Sequence, residues 1–346
     1  MYKPETGINQ NNLNYIQKEQ SKEKISINNH NNQNNANKNI HYTDKLLFDK
    51  KLKEFISSYY NNKKSVAVVT DFDFTITSKI DYKNGKEYKS SYYLYDEDII
   101  GGDQKSFNEK RKALADKYAL YEFSTSFDFE TRKIKMEEWY TKGLELYFNQ
   151  KFTRNSIDKM IEITKDNILF RKHTKEYIEL LVSFGITVII ESGGLGDFIE
   201  GILKLEIPNF EEYLKDRKII IVSNFFKYDE KTKGCIGAQH EVINCFNKAD
   251  FLGSVVNREL PELKHVLILG DNLGDADSIK KINVSKDNVI GFGFLNLPMD
   301  VISDDNKKNY LKKKIDEYKK NFDLVLVGDC DYEPIIEFLK NIKLQN

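Results

Sequence analysis

An apolar run that stops abruptly at two acids constrains this chain most: Val66-Ala-Val-Val-Thr-Asp71-Phe-Asp73-Phe-Thr75-Ile-Thr77. A short unbroken apolar run, rich in β-branched residues, reads as a strand buried on both faces. In extended backbone Asp71 and Asp73 point the same way, because side chains repeat with period two. If the chain bends there, one carboxylate can attack while the other handles a proton. Both acids then stand at the carboxyl end of a strand, where open α/β sheets bind ligands.

The same grammar recurs downstream. Residues 187–191, 218–222, 265–270 and 289–292 read as buried strands, and 324–327 as an edge or late strand. Helical patterns at 174–182, 196–205, 277–281 and 332–343 separate most of them. A helix over residues 45–60, with Leu46, Leu47, Leu52, Phe55 and Ile56 on one stripe, precedes the first strand at 65–70. Strand–helix alternation predicts a Rossmann-like parallel α/β sheet with helices on both faces. Turn residues between apolar flanks at 228–237 predict a small hairpin beside it. Residues 80–175 are charged and aromatic, with helix-like segments at 105–117, 135–150 and 155–163 and no buried strand pattern. They read as a mostly helical cap, inserted into a core made of 42–79 and 176–346. Residues 1–41 contain the polar tract Asn28-Asn29-His30-Asn31-Asn32-Gln33-Asn34-Asn35 and are expected to be a disordered tail.

Composition removes several function classes. The chain has 346 residues, 40% apolar and 31% charged, enough for a substantial core. A formal net charge of -1, with no basic stripe interleaved with aromatics, argues against a nucleic-acid partner. Runs such as Lys312-Lys313-Lys314 read as solvated surface. The three cysteines, Cys235, Cys245 and Cys330, have no zinc or redox spacing and make no disulfide framework. No secretory h-region opens the chain and no run is apolar enough to span a membrane. The expectation is a cytoplasmic monomer without a membrane partner.

If the strands are parallel, four segments converge at their carboxyl ends. They are Asp71-Phe-Asp73, Glu191-Ser192-Gly193-Gly194-Leu-Gly196-Asp197, Asn247-Lys248, and Gly270-Asp271-Asn272-Leu-Gly274-Asp275. Ser192 offers a hydroxyl, and Gly193 and Gly194 let backbone amides approach a phosphate. So many carboxylates in one crevice repel each other unless a hard cation intervenes; Mg²⁺ suits carboxylate, carbonyl and phosphate oxygens. Lys248 cancels further charge, and an aspartate nucleophile forming an aspartyl-phosphate fits this set. Each residue also has a plainer role open to it. Asp71 and Asp73 could be a helix cap and a turn, Ser192 and Asp197 helix caps, and Lys248 a surface lysine. Glu138 could be an ordinary exposed acid, and Trp139 a packing residue.

These motifs, in this order, resemble the haloacid dehalogenase-like superfamily and, within it, the cytosolic pyrimidine 5'-nucleotidase family (cytosolic 5'-nucleotidase type III). Further matching pieces are Val222-Ser223-Asn224-Phe225, Phe246-Asn247-Lys248, Leu267-Ile-Leu-Gly270-Asp271 and Gly293-Phe294-Leu295-Asn296. Met136-Glu-Glu138-Trp139-Tyr140-Thr141-Lys142 resembles the family's cap motif. The resemblance spans residues 45–343 and implies a role for each matching position. Asp71 would be the nucleophile and a Mg²⁺ ligand. Asp73 would be the general acid, then base, and ligate the metal through its carbonyl. Asp271 would complete the protein ligands, and Asp275 would orient metal-bound water and balance Lys248. Ser192, Gly193 and Gly194 would bind phosphate, Lys248 would stabilise transferring charge, and Glu138 would read the pyrimidine edge, with Trp139 and Tyr140 as walls. The implied reaction is Mg²⁺-dependent hydrolysis of pyrimidine nucleoside monophosphates such as CMP and UMP. 7-Methylguanosine monophosphate, another small phosphate, or a non-catalytic nucleotide-binding scaffold are the alternatives.

Two positions depart from the family's Phe-Ser-Ala-Gly-Ile-Gly-Asp pattern. Glu191 replaces the aromatic residue and Gly193 the alanine. A carboxylate at 191 repels substrate if it points inward, and is harmless if it pairs with a base. Arg132-Lys133-Ile134-Lys135, just before the cap motif, is also more basic than the family's pattern.

Overall fold

The computed structural model describes residues 39–91, 104–124, 126–149 and 153–343. Seven strands form the main sheet, in the order β1-β11-β10-β9-β2-β5-β6. They are β1 (Ile40–Tyr42), β2 (Val66–Asp71), β5 (Thr187–Leu195), β6 (Ile219–Asn224), β9 (His265–Gly270), β10 (Val289–Leu295) and β11 (Leu324–Val327). All neighbours are parallel except β1, which runs antiparallel to β11. From β2 the chain builds outward through β5 and β6, then returns to β9 on the other side of β2. That reversal opens a crevice at the carboxyl ends of β2 and β9.

Strand alternation divides the core between two faces. Val66, Val68, Val188 and Ile190 join the larger apolar cluster, while Ala67, Val69 and Ile189 join a second one. The first face is covered by helices α1 (Lys45–Asn61), α5 (Thr174–Phe184), α6 (Gly196–Glu206) and α11 (Glu333–Lys343), and the second by α8 (Lys248–Glu259). α1 begins where the Asp44 carboxylate accepts from Leu47 N–H at 3.0 Å. α5 ends at Gly185, whose φ of 73° suits a residue without a Cβ.

Three helices stand in the segment expected as the cap: α2 (Gln104–Phe123), α3 (Phe129–Asn149) and α4 (Arg154–Thr164). Each is as long as or longer than its apolar pattern indicated, because polar turns at the ends continue the backbone ladder. Short hairpins β3 (Ile80–Asp81) with β4 (Lys86–Glu87), and β7 (Phe226–Tyr228) with β8 (Cys235–Ala238), flank the sheet. The second is the hairpin expected at 228–237. Helices α7 (Phe210–Lys215), α8, α9 (Met299–Ser303) and α10 (Lys308–Tyr318) were not expected; α10 buries only Ile315, too weak a stripe to read from the sequence.

The expected tail needs one correction at its boundary. Residues 1–38, with the asparagine tract, lie outside the described residues. Ile40 and His41, placed in the tail by the sequence reading, instead pair with Leu326 and Val325. β11 otherwise presents an open edge, and a short strand former such as Ile-His-Tyr satisfies its backbone groups.

Candidate active site

The first acidic segment leaves β2 in a tight turn. Phe74 has φ 63°, a left-handed conformation costly for a non-glycine residue, so something must hold it. Thr77 Oγ1 accepts from Phe74 N–H at 2.8 Å. Above it lies Arg171, buried, whose guanidinium donates to the carbonyls of Thr75 (2.9 Å), Phe74 (2.6 Å) and Cys330 (2.8 Å) and to Asn296 Oδ1 (2.8 Å). Asn296 Nδ2 donates to the Phe74 carbonyl at 2.9 Å, and the Arg171 guanidinium stacks on the Phe294 ring at 4.0 Å. The turn after β2 is thus clamped from behind, and Asp71 and Asp73 are delivered into the crevice.

Asp71, Asp271 and Asp275 come together there, each offering a carboxylate oxygen within 4.8 Å of the others. Burial, then Asp275, pushes the Asp71 carboxyl well above its ordinary range, against the pull of Lys248. Burial and Asp275 likewise push Asp271 up to about 8. Ionised together, the three acids would carry more negative charge than Lys248 neutralises, which is why the site holds protons where no cation is present. An all-oxygen group of this kind fits a hard divalent cation. Asp73 is separate from this trio: its side chain turns to Ser91, which donates N–H to Oδ1 at 2.6 Å and O–H to Oδ2 at 2.7 Å. Burial pushes Asp73 up to about 6 despite those two donors. A carboxyl at that value can hold a proton and release it near neutral pH.

Lys248 opens α8 and is buried among carboxylates. Its Nζ lies 2.5 Å from Asp275 Oδ1, 3.8 Å from Asp71 Oδ1 and 3.9 Å from Glu191 Oε2. Burial opposes the charge on Lys248, but Asp275, Glu191 and Asp71 outweigh it and hold the ammonium well above its ordinary pKa. The preceding turn is built by asparagines: Asn247 Oδ1 accepts from Asn244 N–H at 2.7 Å, and Asn247 Nδ2 donates to Val242 O at 2.8 Å. Asn224 then ties this turn to the glycine loop, donating to the carbonyls of Gly193 (2.9 Å) and Ile243 (2.8 Å).

In the glycine loop, Ser192 Oγ accepts from Gly194 N–H at 3.0 Å, which leaves its own proton for another acceptor. Ser223 Oγ holds the Gly194 carbonyl at 2.9 Å. A Cβ at Gly193 would stand 3.3 Å from the Tyr140 ring, so glycine here lets the cap helix α3 close on the loop. Glu191 points inward and is 2% exposed. It faces a base, Lys248, with the Ser278 hydroxyl also beside it, but burial outweighs both and pushes its carboxyl pKa up.

Not every expected residue joins this group. The Glu138 carboxylate is engaged within the cap, by Lys135 Nζ (3.0 Å), Lys142 Nζ (3.9 Å) and the Tyr118 hydroxyl (3.0 Å). Those donors, Lys135 first, keep its pKa below the ordinary value. Trp139 packs with Tyr118 and Met136 in the cap's own apolar cluster. Asp197, expected as a helix cap, caps nothing: it is buried and bonds Arg154 of α4 (2.9 Å), Phe226 N–H (2.8 Å) and the Tyr228 hydroxyl (3.1 Å). It fastens cap to hairpin. Ser91 and Arg171 were missed by the sequence reading, since neither lies in a periodic or glycine-marked motif.

Two other places compete poorly as active sites. Among the described residues, His173, Asp331 and Glu333 form a second possible metal group, but Lys172 and His173 already meet the Asp331 charge at 3.5 and 3.7 Å. A cavity of about 510 Å³ at the amino ends of β5 and β6 is lined by Arg217, Lys218 and Arg258, whose charges are paired with Glu259 and Asp216.

Comparison with known proteins agrees with this geometry. The profile of the pyrimidine 5'-nucleotidase (UMPH-1) family matches residues 74–343, beginning just past Asp73. Among curated proteins, a putative cytosolic 5'-nucleotidase 3 of Caenorhabditis elegans is 24% identical over 269 residues, 76% of this chain and 65% of that one. The human 7-methylguanosine phosphate-specific 5'-nucleotidase is 27% identical over 287 residues, covering 80% of this chain and 85% of the relative. The crystal structure of cytosolic 5'-nucleotidase IIIB bound to cytidine superposes with a TM-score of 0.70 at 24% identity, over 89% of this chain and 94% of that one. The fold is that of this 5'-nucleotidase structure, a Rossmann-like parallel core with an inserted helical cap. With 270 of its residues matched and the acids gathered at the switch point of the sheet, the chain belongs to the pyrimidine 5'-nucleotidase (UMPH-1) family.

Proposed function

We propose that this protein is a Mg²⁺-dependent 5'-nucleotidase that hydrolyses pyrimidine nucleoside monophosphates, CMP and UMP, to nucleoside and phosphate. The observation that carries the reading is the meeting of Asp71, Asp271 and Asp275 beside Lys248 at the carboxyl ends of β2 and β9.

Asp71 attacks phosphorus and the bond to the nucleoside 5'-oxygen breaks. Asp73 supplies the proton that lets that oxygen leave as a hydroxyl. Water then attacks the aspartyl-phosphate, Asp73 takes its proton, and Asp71 is regenerated. Ser192 donates its free hydroxyl proton to a phosphate oxygen, helped by amides of the Gly193–Gly194 turn. Lys248 holds positive charge where negative charge gathers during transfer. Asp71, Asp271 and the Asp73 carbonyl would hold the cation, with Asp275 beside it; when bound it offsets phosphate charge and favours the ionised form of Asp71.

The cap favours a neutral base. Lys135 and Lys142 compensate Glu138, so its carboxylate holds little net attraction for a cationic base such as 7-methylguanine. Glu138 would accept from the cytosine amino group while the flanking ammonium groups meet the base's carbonyl. The acting form is a cytosolic monomer using small nucleotides rather than nucleic acid. The chain's similarity to cytosolic 5'-nucleotidases supports that setting. No described helix is long and apolar enough to cross a membrane.

The test is phosphate release from a panel of CMP, UMP, AMP and 7-methylguanosine monophosphate, with Mg²⁺ or with EDTA. CMP and UMP are expected to give the highest kcat/KM, and EDTA to abolish turnover. Asp71→Asn should lower kcat by at least about 10³-fold while leaving the melting temperature near wild type. Full turnover by that variant would sink the mechanism, and nucleotide binding without phosphate release would favour a scaffold.

A further inference from the structure

Among the described residues, Ser91 grips the proposed acid–base carboxyl with two hydrogen bonds. It is 1% exposed and lies shortly after the β3–β4 hairpin, where the chain leaves the core for the cap helices. Its amide donates to one Asp73 oxygen and its hydroxyl to the other, at 2.6 and 2.7 Å. Two donors from one residue fix the plane of the carboxyl group as well as its position. On its other side Ser91 meets the phosphate loop. A Cβ on Gly194 would stand 2.8 Å from Ser91 Oγ and 3.2 Å from Ser192 Oγ, so only glycine admits both hydroxyls. Ser91 therefore sets the distance between Asp73 and the loop expected to hold phosphate.

We propose that Ser91 is a positioning residue that aims Asp73 at the leaving oxygen and then at the attacking water. The proposal rests on the hydrolysis described above. The chemistry balances without Ser91 giving up a proton. In the first half, the Asp71–phosphorus bond forms, the phosphorus–oxygen bond to the nucleoside breaks, and the departing electron pair takes the proton from Asp73. In the second, the water–phosphorus bond forms, the Asp71–phosphorus bond breaks, and the water proton returns to Asp73. Throughout, Ser91 keeps both hydrogens and occupies one lone pair on each Asp73 oxygen. The transferred proton must then sit on a lone pair that Ser91 does not use, which restricts where it can point.

A residue that acts through the general acid is exposed by leaving-group dependence. A nucleoside oxygen leaves poorly without a proton, whereas 4-nitrophenolate departs as a stable anion. The experiment measures kcat and KM of the full chain with Mg²⁺ on CMP, UMP and 4-nitrophenyl phosphate. Wild type, Ser91→Ala and Ser91→Thr are compared, with Asp73→Asn as the reference for lost acid catalysis. Ser91→Ala is expected to lower kcat on nucleotides by about 10–100-fold with KM little changed. Its loss on 4-nitrophenyl phosphate should be at least tenfold smaller (roughly, by the same reasoning). Ser91→Thr, which retains both donors, should recover most of the nucleotide rate. Equal losses on both substrates, or no loss on nucleotides, would overturn the positioning role while leaving the nucleotidase reading intact. A wild-type chain that releases phosphate from no nucleotide would overturn both. Melting temperatures of the two Ser91 variants separate misfolding from misalignment, and the Thr variant keeps the question decidable if the Ala variant does not fold.

Discussion

At the scale of single residues, the informative position is Glu191. Its Cα pairs with that of Asp71 across β2 and β5, so the side chain stands beside the proposed nucleophile. It contributes a carboxylate to a site that already holds four, and only Oε2 approaches a cation. Burying a charge with incomplete partners costs more than the pairing returns. Lys248 retains Asp275 and Asp71 if Glu191 is neutralised, so it is not left unpaired. Glu191→Gln should therefore leave stability unchanged or raise it by about 1 kcal/mol. It should also lower KM for nucleotide monophosphates, because one negative charge near the phosphate is gone. Thermal melting and steady-state kinetics check both; a clear drop in melting temperature would mean that the Glu191–Lys248 pair outweighs its desolvation. The presence of a carboxylate at 191 was legible in the sequence, and so was its conflict with an anionic substrate. Its direction was not, because side-chain orientation at a strand end depends on the register with β2.

At the scale of elements, the turn after β2 shows how distant segments cooperate. Locally, Thr77 holds the left-handed Phe74 by accepting its N–H. The rest comes from Arg171, close before α5, and Asn296, just past β10. Arg171→Met would take the charged donor from four acceptors: the Thr75 and Phe74 carbonyls keep the Tyr332 hydroxyl and Asn296 Nδ2, but the Cys330 carbonyl and Asn296 Oδ1 lose the guanidinium. Two such losses predict a destabilisation of about 3 kcal/mol, read as a shift in the urea midpoint. Turnover should fall as well, since the turn places both catalytic acids. Asp73 and Asn296 stood out in the sequence through their motifs; Arg171 and Ser91 carried no signal there. A single polar residue in a non-repeating segment looks the same whether it faces solvent or a carbonyl nearly a hundred positions away. Lys312-Lys313-Lys314, by contrast, was readable: Lys312 and Lys313 are exposed on α10, as a charge run on a helix usually is.

At the scale of the whole molecule, the acids make cation binding and protonation competing processes. Burial and then Asp275 push the Asp271 carboxyl up to about 8 in the folded chain, far above its unfolded value. Between roughly pH 4 and pH 8 the folded form then binds more protons than the unfolded form, so its stability falls as pH rises through that window. A divalent cation replaces those protons, and its apparent affinity should rise with pH toward 8. The increase in melting temperature on adding Mg²⁺ should accordingly be larger at pH 8 than at pH 5; an increase independent of pH would contradict this. The parallel strands with helices between them, the helical segment between β2 and β5, and the acids, serine and lysine at the strand ends were legible in apolar runs and motifs, which are local properties of the chain; the order of the strands in the sheet was not. Tertiary structure alone decided which carboxylates share Lys248, that Glu138 is compensated within the cap, that Ile40–Tyr42 closes the sheet edge, and that Ser91 grips Asp73. Those outcomes depend on distances between segments far apart in sequence, and such distances exist only once the core has packed.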